Sequence, residues 1–107
     1  MTKVVCKSGA CGMSAAIEVD KVSGRTAKVS VDSECDMVSC LGQRLGTVSI
    51  KDALSLLSES VVYREASHCI KHVACPVPMA ILKAIEVELG LALPTDVRVS
   101  FVVAGEC

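Results

Sequence analysis

Residues 15–32, AAIEVDKVSGRTAKVSVD, alternate apolar and polar side chains on both sides of a turn. Alternation with a period of two predicts two half-buried strands, with Ile17 and Val19 on the core side of the first and Val29 on that of the second. The turn at residues 22–25 contains Gly24, as tight hairpins commonly do. The segment therefore predicts an antiparallel hairpin.

An earlier strand extends this hairpin to a β-meander, because Val4 and Cys6 alternate with polar or outward residues and a glycine-containing turn follows at residues 8–12. Four helices are predicted next, the first capped by Ser33 and the second by Ser49. The apolar side chains predicted to face the core are Val38, Leu41 and Leu45 in the first helix, Leu54 and Leu57 in the second, and Val62, Ala66, Cys69, Ile70 and Val73 in the third.

The fourth helix is predicted to end at Gly90, and Val97, Val99, Phe101 and Val103 then alternate as a closing strand. The predicted order is βββ-αααα-β. It describes an α+β fold in which helices pack on one face of an antiparallel sheet. At this length we expect a single domain, residues 1–107.

Composition excludes several classes of function. The net charge is -1, with 11 basic and 12 acidic residues, so we expect no nucleic-acid partner. No apolar stretch approaches the roughly 20 residues of a membrane span, so we expect no membrane partner either. The chain has seven cysteines, an odd count, and the pattern of its first residues leads us to expect no leader sequence. We therefore expect reduced thiols and a cytoplasmic location.

Cys75 stands immediately before the predicted fourth helix. Pro76 and Pro78 fit a first helical turn, so Cys75 is expected near the positive end of the helix dipole, which favours the thiolate. Cys35 is predicted in the first turn of its own helix. The reversals of the meander predict that Cys11 and Cys35 lie at one edge of the sheet, and Cys75 and Cys107 are predicted at one end of the closing strand.

These thiols predict a metal site. Cys11, Cys35 and Cys75, with a fourth ligand from Cys69, His68 or His72, would supply the soft donors that zinc or an iron-sulfur cluster requires. The two-residue spacing of Cys69, His72 and Cys75 suits a chelate, although the chain contains no CxxC pair.

A structural role is the alternative for each of these residues. Cysteine is often a buried small hydrophobe, so Cys6 and Cys69 are expected in the core. Cys40 projects away from its helix's apolar stripe and Cys107 is the chain end, so both are expected to be bystanders. The two histidines are commonly solvated at such positions.

Two resemblances are found, one over the last third of the chain and one over its whole length. Cys75-Pro76-Val77-Pro78, opening a helix with Leu82 and Lys83, resembles the CPxP motif of the TusA/SirA sulfur carriers, which implies that Cys75 takes up sulfur as a persulfide. Over the whole length, the Cys11-Gly12 turn, Cys35 and residues 75–97 resemble a small uncharacterised family of methanogenic archaea and some anaerobic bacteria.

Three functions follow as hypotheses. The first is metal or iron-sulfur binding through the cysteines. The second is sulfur transfer with Cys75 as the catalytic thiol and a sulfur donor or acceptor protein as partner; this is the only enzymatic activity that a motif suggests. The third is an interaction module without metal, and the closing strand could pair across a homodimer edge.

Overall fold

The computed structural model describes residues 1–104. Three strands form the predicted meander: β1 (Thr2–Lys7), β2 (Ser14–Ser23) and β3 (Thr26–Ser33). They pair antiparallel with Val4 opposite Ile17 and Ile17 opposite Val31. The core-facing set of β2, which includes Ile17 and Val19, is fully buried. This antiparallel pairing of β2 and β3 confirms the hairpin prediction. Its register is fixed because only one register puts every second side chain of these strands toward the helices.

The rest of the chain adds α1 (Asp36–Leu45), β4 (Thr47–Ser49), α2 (Ile50–Ala53), α3 (Val61–Cys69) and α4 (Val77–Glu88). The sheet has the order β1-β2-β3-β4. Helix α4 packs on β1 and β2, α1 packs on β3, and α3 packs against both helices. The predicted mixed α+β class is confirmed, with helices on one face of an antiparallel sheet, and the buried side chains lie between these two layers.

The predicted element order is wrong at the fourth strand. Residues 97–103 do not form a strand of this sheet and are exposed to solvent. The fourth strand is β4, which pairs with the first residues of β3 through Val48 opposite Ala27. Gly46 ends α1 with a φ of 54°, and the amide of Val29 donates to its carbonyl at 2.8 Å. The chain therefore passes from α1 directly into β4, which pairs with β3. The side chain of Val48 is buried in the core.

Two helices are shorter than predicted. Ser49 caps α2 as expected, accepting from the amide of Asp52 at 3.2 Å, but the helix ends at Ala53 and Leu57 is exposed. Helix α3 ends at Cys69 rather than Val73, which is also exposed. In both cases the apolar pattern of the sequence extends past the last residue that packs against the sheet or a neighbouring helix. Because helix stability comes mainly from such packing, the helix ends there.

Glu88 fastens the end of α4 to the sheet. Its carboxylate accepts from the Thr2 hydroxyl at 2.7 Å and from the Lys21 amide at 2.9 Å, and the N-terminal ammonium lies 3.4 Å away. The Thr2 hydrogen bond, followed by that from Lys21, lowers the pKa of Glu88 below its ordinary value. These contacts set the direction of α4 along β1.

The lowered pKa predicts a pH dependence of stability. A carboxyl group whose pKa is depressed by folding stabilises the native state above its unfolded pKa of about 4.3, and this stabilisation is lost as the pH falls through the folded value. We expect Glu88→Gln to lower the thermal midpoint near neutral pH, and the difference from the unmodified chain to shrink in acid. Scanning calorimetry from neutral to acidic pH measures both. Glu59→Gln, at an exposed position, is the charge-matched control; an equal pH profile for both variants would contradict the assignment.

Candidate thiol site

Four cysteines lie at the edge of the sheet where β1 ends, β2 begins and β3 ends. Cys6 pairs with Ala15, and Ala15 pairs with Ser33, so the three residues form one row across the strands. All three are at least partly buried, which places them on the helix-covered face. Cys11 follows β1, Cys35 follows β3 and Cys75 precedes α4. We call Cys6, Cys11, Cys35 and Cys75 the thiol edge.

The direction of α4 places Cys75 near Cys6. Helix α4 ends at Glu88 beside Thr2, the first residue of β1, and runs back along that strand. The 11 steps from Val77 to Glu88 span about 17 Å, the same length as the five steps of β1. The start of α4 therefore reaches the Cys6 end of β1. Both thiols are half-buried and pack against the core.

The electrostatics of the two thiols agree with this placement. Burial raises the pKa of Cys6 above its ordinary value, and the charge of Cys75 raises it further. A second negative charge is therefore disfavoured when Cys75 is ionised. Both effects favour the protonated form of Cys6. Cys75 is free of disulfide bonding and stands one residue before Pro76, the N-cap of α4.

Cys35 is the N-cap of α1 rather than a residue of its first turn. Its backbone amide donates to the Ser33 hydroxyl at 3.1 Å, and the Ser39 hydroxyl donates to the Ser33 carbonyl at 3.0 Å. Ser33 thus organises the start of α1 from two residues upstream. The Cys35 side chain makes no capping hydrogen bond and is half-buried.

Cys11 is exposed in a 3-10 turn, Gly9–Cys11, between β1 and β2. The turn is closed by the Ser8 amide, which donates to the Met13 carbonyl at 3.0 Å. Gly12 ends it with a φ of 73°, a conformation that side chains with a Cβ rarely adopt. Cys11 and Cys35 lie at the same edge of the sheet, as predicted from the meander.

A second thiol pair lies between α1 and α3. Cys69 is buried, and burial together with a hydrogen bond that its thiol donates to Cys40 raises the pKa of Cys69 to about 11. One helical turn away, Arg44 Nε donates to Glu65 Oε2 at 2.8 Å. The Cys40–Cys69 and Arg44–Glu65 contacts thus link α1 and α3 at positions one helical turn apart, as expected for antiparallel helices. The prediction of Cys69 as core is supported, while Cys40, expected to be a bystander, packs against the core.

The predicted ligand set is distributed over the molecule. Cys69 faces Cys40 inside the helical layer, and both His68 and His72 are exposed. The His72 carbonyl accepts from the Cys75 amide at 3.0 Å, so this residue shapes the turn before α4 through its backbone. Within residues 1–104, no group of three or more His, Cys, Asp or Glu side chains is placed to hold a metal ion. Cys107 lies outside the described residues.

Sequence reasoning missed Cys6 and Cys40 as partners of other thiols. The strand alternation places Cys6 on the covered face, but its neighbour is determined by how α4 crosses β1. For Cys40, the apolar stripe of α1 was the available signal, and it indicated a different face. Neither pairing has a signature in local spacing.

Comparison with known proteins gives a family without an assigned activity. The model of a "Family of unknown function (DUF6951)" matches residues 2–101. No curated protein and no solved structure matches the chain. Within the described residues, the helices are too short or too polar to cross a membrane. The match spans nearly the whole chain, and the protein therefore belongs to this family of unknown function, DUF6951.

Proposed function

We propose that this protein is a sulfur carrier that takes up sulfane sulfur on Cys75 as a persulfide, with Cys6 as the neighbouring thiol. The observation that carries the proposal is the proximity of these two half-buried thiols, whose charges interact where α4 begins and β1 ends. The CPxP resemblance at Cys75 points to the same chemistry. A donor or acceptor protein would be the partner.

The loading step balances without an added oxidant. The Cys75 thiolate attacks the terminal sulfur of a donor persulfide, forming a new sulfur-sulfur bond. The donor's own sulfur-sulfur bond breaks, and the donor leaves as a thiolate. Cys75 then carries the persulfide, and its oxidation level equals that of the donor at the start.

Helix α4 supports an anion at this position. It has 12 residues, and no side chain caps its N-terminus. Because Pro76 and Pro78 lack an amide hydrogen, Val77 and Met79 are the nearest donors in the first turn. The partial positive charge of a helix N-terminus stabilises a thiolate or persulfide anion near it.

Cys6 gives the carrier a way to release sulfide. Its sulfur can attack the inner sulfur of the Cys75 persulfide, which forms a Cys6–Cys75 disulfide and releases hydrosulfide. A dithiol reductant would then donate two electrons and two protons to this disulfide. Both residues return to thiols, and the reductant becomes a disulfide. The attack requires Cys6 to lose its proton, and the raised pKa of this thiol therefore slows the step. Reduced thiols suit the cytoplasmic location that we infer from the cysteine content.

Zinc or iron-sulfur binding stays a prediction. Such a site needs three or more protein ligands, and the described cysteines are brought together as pairs. Cys11 and Cys35 share the thiol edge with Cys75 and would be the first ligands to consider. The pairwise arrangement favours sulfur transfer over metal binding.

One preparation tests both functions. The protein is purified without oxygen, and zinc, iron and acid-labile sulfide are measured per chain. The same sample is then incubated with a small-molecule persulfide and analysed by intact mass and peptide mapping. We expect little bound metal and the addition of one sulfur atom at Cys75. Stoichiometric metal, or the absence of sulfur uptake by metal-free protein, would contradict the sulfur-carrier proposal.

A further inference from the structure

The segment after α4 is apolar and uncovered. We call residues 94–103 the arm. Val99 is 85% exposed and Phe101 fully exposed, and no backbone hydrogen bond within the described chain joins residues 96–104 to the body. The molecule measures 49 × 29 × 24 Å, so it is elongated along one axis. The large apolar side chains exposed on the arm are Val97, Val99, Phe101, Val102 and Val103.

The arm has the sequence of a strand, and the sheet has an open edge to receive one. Valines and Phe101 alternate with Arg98 and Ser100, which is the pattern of a strand with one apolar face. In the described chain, β1 is the terminal strand of the sheet and pairs only with β2. An open edge offers unpaired backbone groups to another strand.

We propose that the arm of one copy adds to β1 of a second copy as an antiparallel strand, and that the exchange is reciprocal. Alternation restricts the register, because the apolar face of the arm must continue the helix-covered face of Val4 and Cys6. The proposed pairs are Asp96 with Lys7, Val97 with Cys6, Arg98 with Val5, Val99 with Val4, Ser100 with Lys3, and Phe101 with Thr2.

Charge selects this register over its neighbours. It places Asp96 opposite Lys7 and Arg98 opposite the uncharged Val5. Moving the arm by two residues in either direction keeps the apolar face but puts Arg98 opposite Lys7 or Lys3. Like charges directly opposite each other destabilise a strand pair, and opposite charges stabilise it. The proposed register also uses all six residues of β1.

A second copy fits this register better than the chain's own arm. Helix α4 ends at Glu88 beside Thr2, so the chain leaves α4 at the opposite end of its own β1 from Lys7. Residues 89–95 would have to run back along β1, roughly 17 Å, and then reverse direction. Seven extended residues span at most about 23 Å, which leaves only about 6 Å of chain for the reversal. A parallel alignment starting with Val97 beside Thr2 avoids the reversal but places Arg98 beside Lys3.

The surface available is adequate for a dimer. Phe101 and the valines on its face present roughly 400 Å² of apolar side-chain surface on each arm. A symmetric exchange buries two arms and the two edges that receive them, which reaches the range of about 1,200–2,000 Å² typical of stable complexes. Each dimer therefore contains two copies of every contact.

Sedimentation equilibrium of the full chain under reducing conditions tests the interface. We expect a dimer at micromolar concentration. Phe101→Asp should weaken dimerisation at least about thirtyfold, since burial of a large apolar side chain is lost at two sites. The exposed position should leave the fold of each copy intact, which circular dichroism checks. A monomeric unmodified chain, or a dimer that Phe101→Asp does not weaken, would overturn the proposal.

A charge exchange tests the register separately. Lys7→Glu and Asp96→Lys should each raise the dimer Kd about tenfold, because an opposite-charge pair becomes a like-charge pair twice per dimer. The double variant should restore dimerisation. Lys28→Glu, exposed on β3, is the charge-matched control and should leave the Kd unchanged. Additive weakening in the double variant would overturn the proposed register.

Discussion

Cys75→Ser is expected to abolish sulfur loading from a small-molecule persulfide. A serine hydroxyl retains the size of the side chain but is not ionised near neutral pH, so it cannot attack the donor sulfur. Because Cys75 is half-buried at the start of α4, we expect the fold to survive the change. Intact mass after incubation with the persulfide measures the loss, and the thermal midpoint serves as the check on folding.

Three other variants separate the hypotheses for the thiol edge. Cys11→Ser and Cys35→Ser should load sulfur like the unmodified chain, since neither thiol neighbours Cys75 in the way that Cys6 does. Cys6→Ser should load sulfur but release less hydrosulfide afterwards. If Cys11→Ser or Cys35→Ser instead releases bound zinc or iron, the metal hypothesis is supported in place of sulfur transfer.

Gly42→Ala is expected to destabilise the protein even though alanine is the better helix former. A Cβ at this position would lie 2.7 Å from Val31 Cβ and 3.0 Å from Val31 Cγ2. Helix propensity favours alanine by about 1 kcal/mol. Overpacking typically costs about 1–3 kcal/mol, and the nearer contact is to the rigid base of the valine rather than a flexible tip. We expect the steric effect to prevail.

Chemical denaturation measures this change. A steric cost in the upper part of that range, about 2–3 kcal/mol, less the propensity gain of about 1 kcal/mol gives an expected net loss of about 1–2 kcal/mol in the free energy of unfolding for Gly42→Ala. Gly42→Leu should lose at least about 3 kcal/mol, because α1 must separate from β3 to admit it. Gln43→Ala, an exposed neighbour on the same helix, is the control and should change stability by less than about 0.5 kcal/mol. A stabilised Gly42→Ala protein would show that helix propensity outweighs this contact.

The elements with a strong local signal were predicted well. Alternation over residues 15–32 predicts the hairpin, and the same pattern identifies Ile17 and Val19 as core. The cap formed by Ser49 and the helix beginning after Cys75 also depend on contacts within one turn of chain. Such features are local, so neighbouring residues suffice to specify them.

The predicted closing strand was wrong because a strand requires a partner as well as a pattern. Residues 97–103 alternate as a strand should, but β4 occupies part of one edge of the sheet and the arm lies away from the other. β4 could not be predicted from sequence because Val48 is its only apolar residue, which is too few to show an alternating pattern. Its pairing depends on the turn at Gly46, which directs the chain from α1 onto β3.

The sequence by itself determined the meander, the approximate start of each helix and the presence of a thiol before α4. Periodicity, capping and proline geometry act over a few residues, so these features can be recognised without a structure. Only the tertiary structure decided which thiols meet. Cys6 lies near Cys75, and Cys40 near Cys69, because helix packing brings together residues far apart in the chain, where local spacing carries no information.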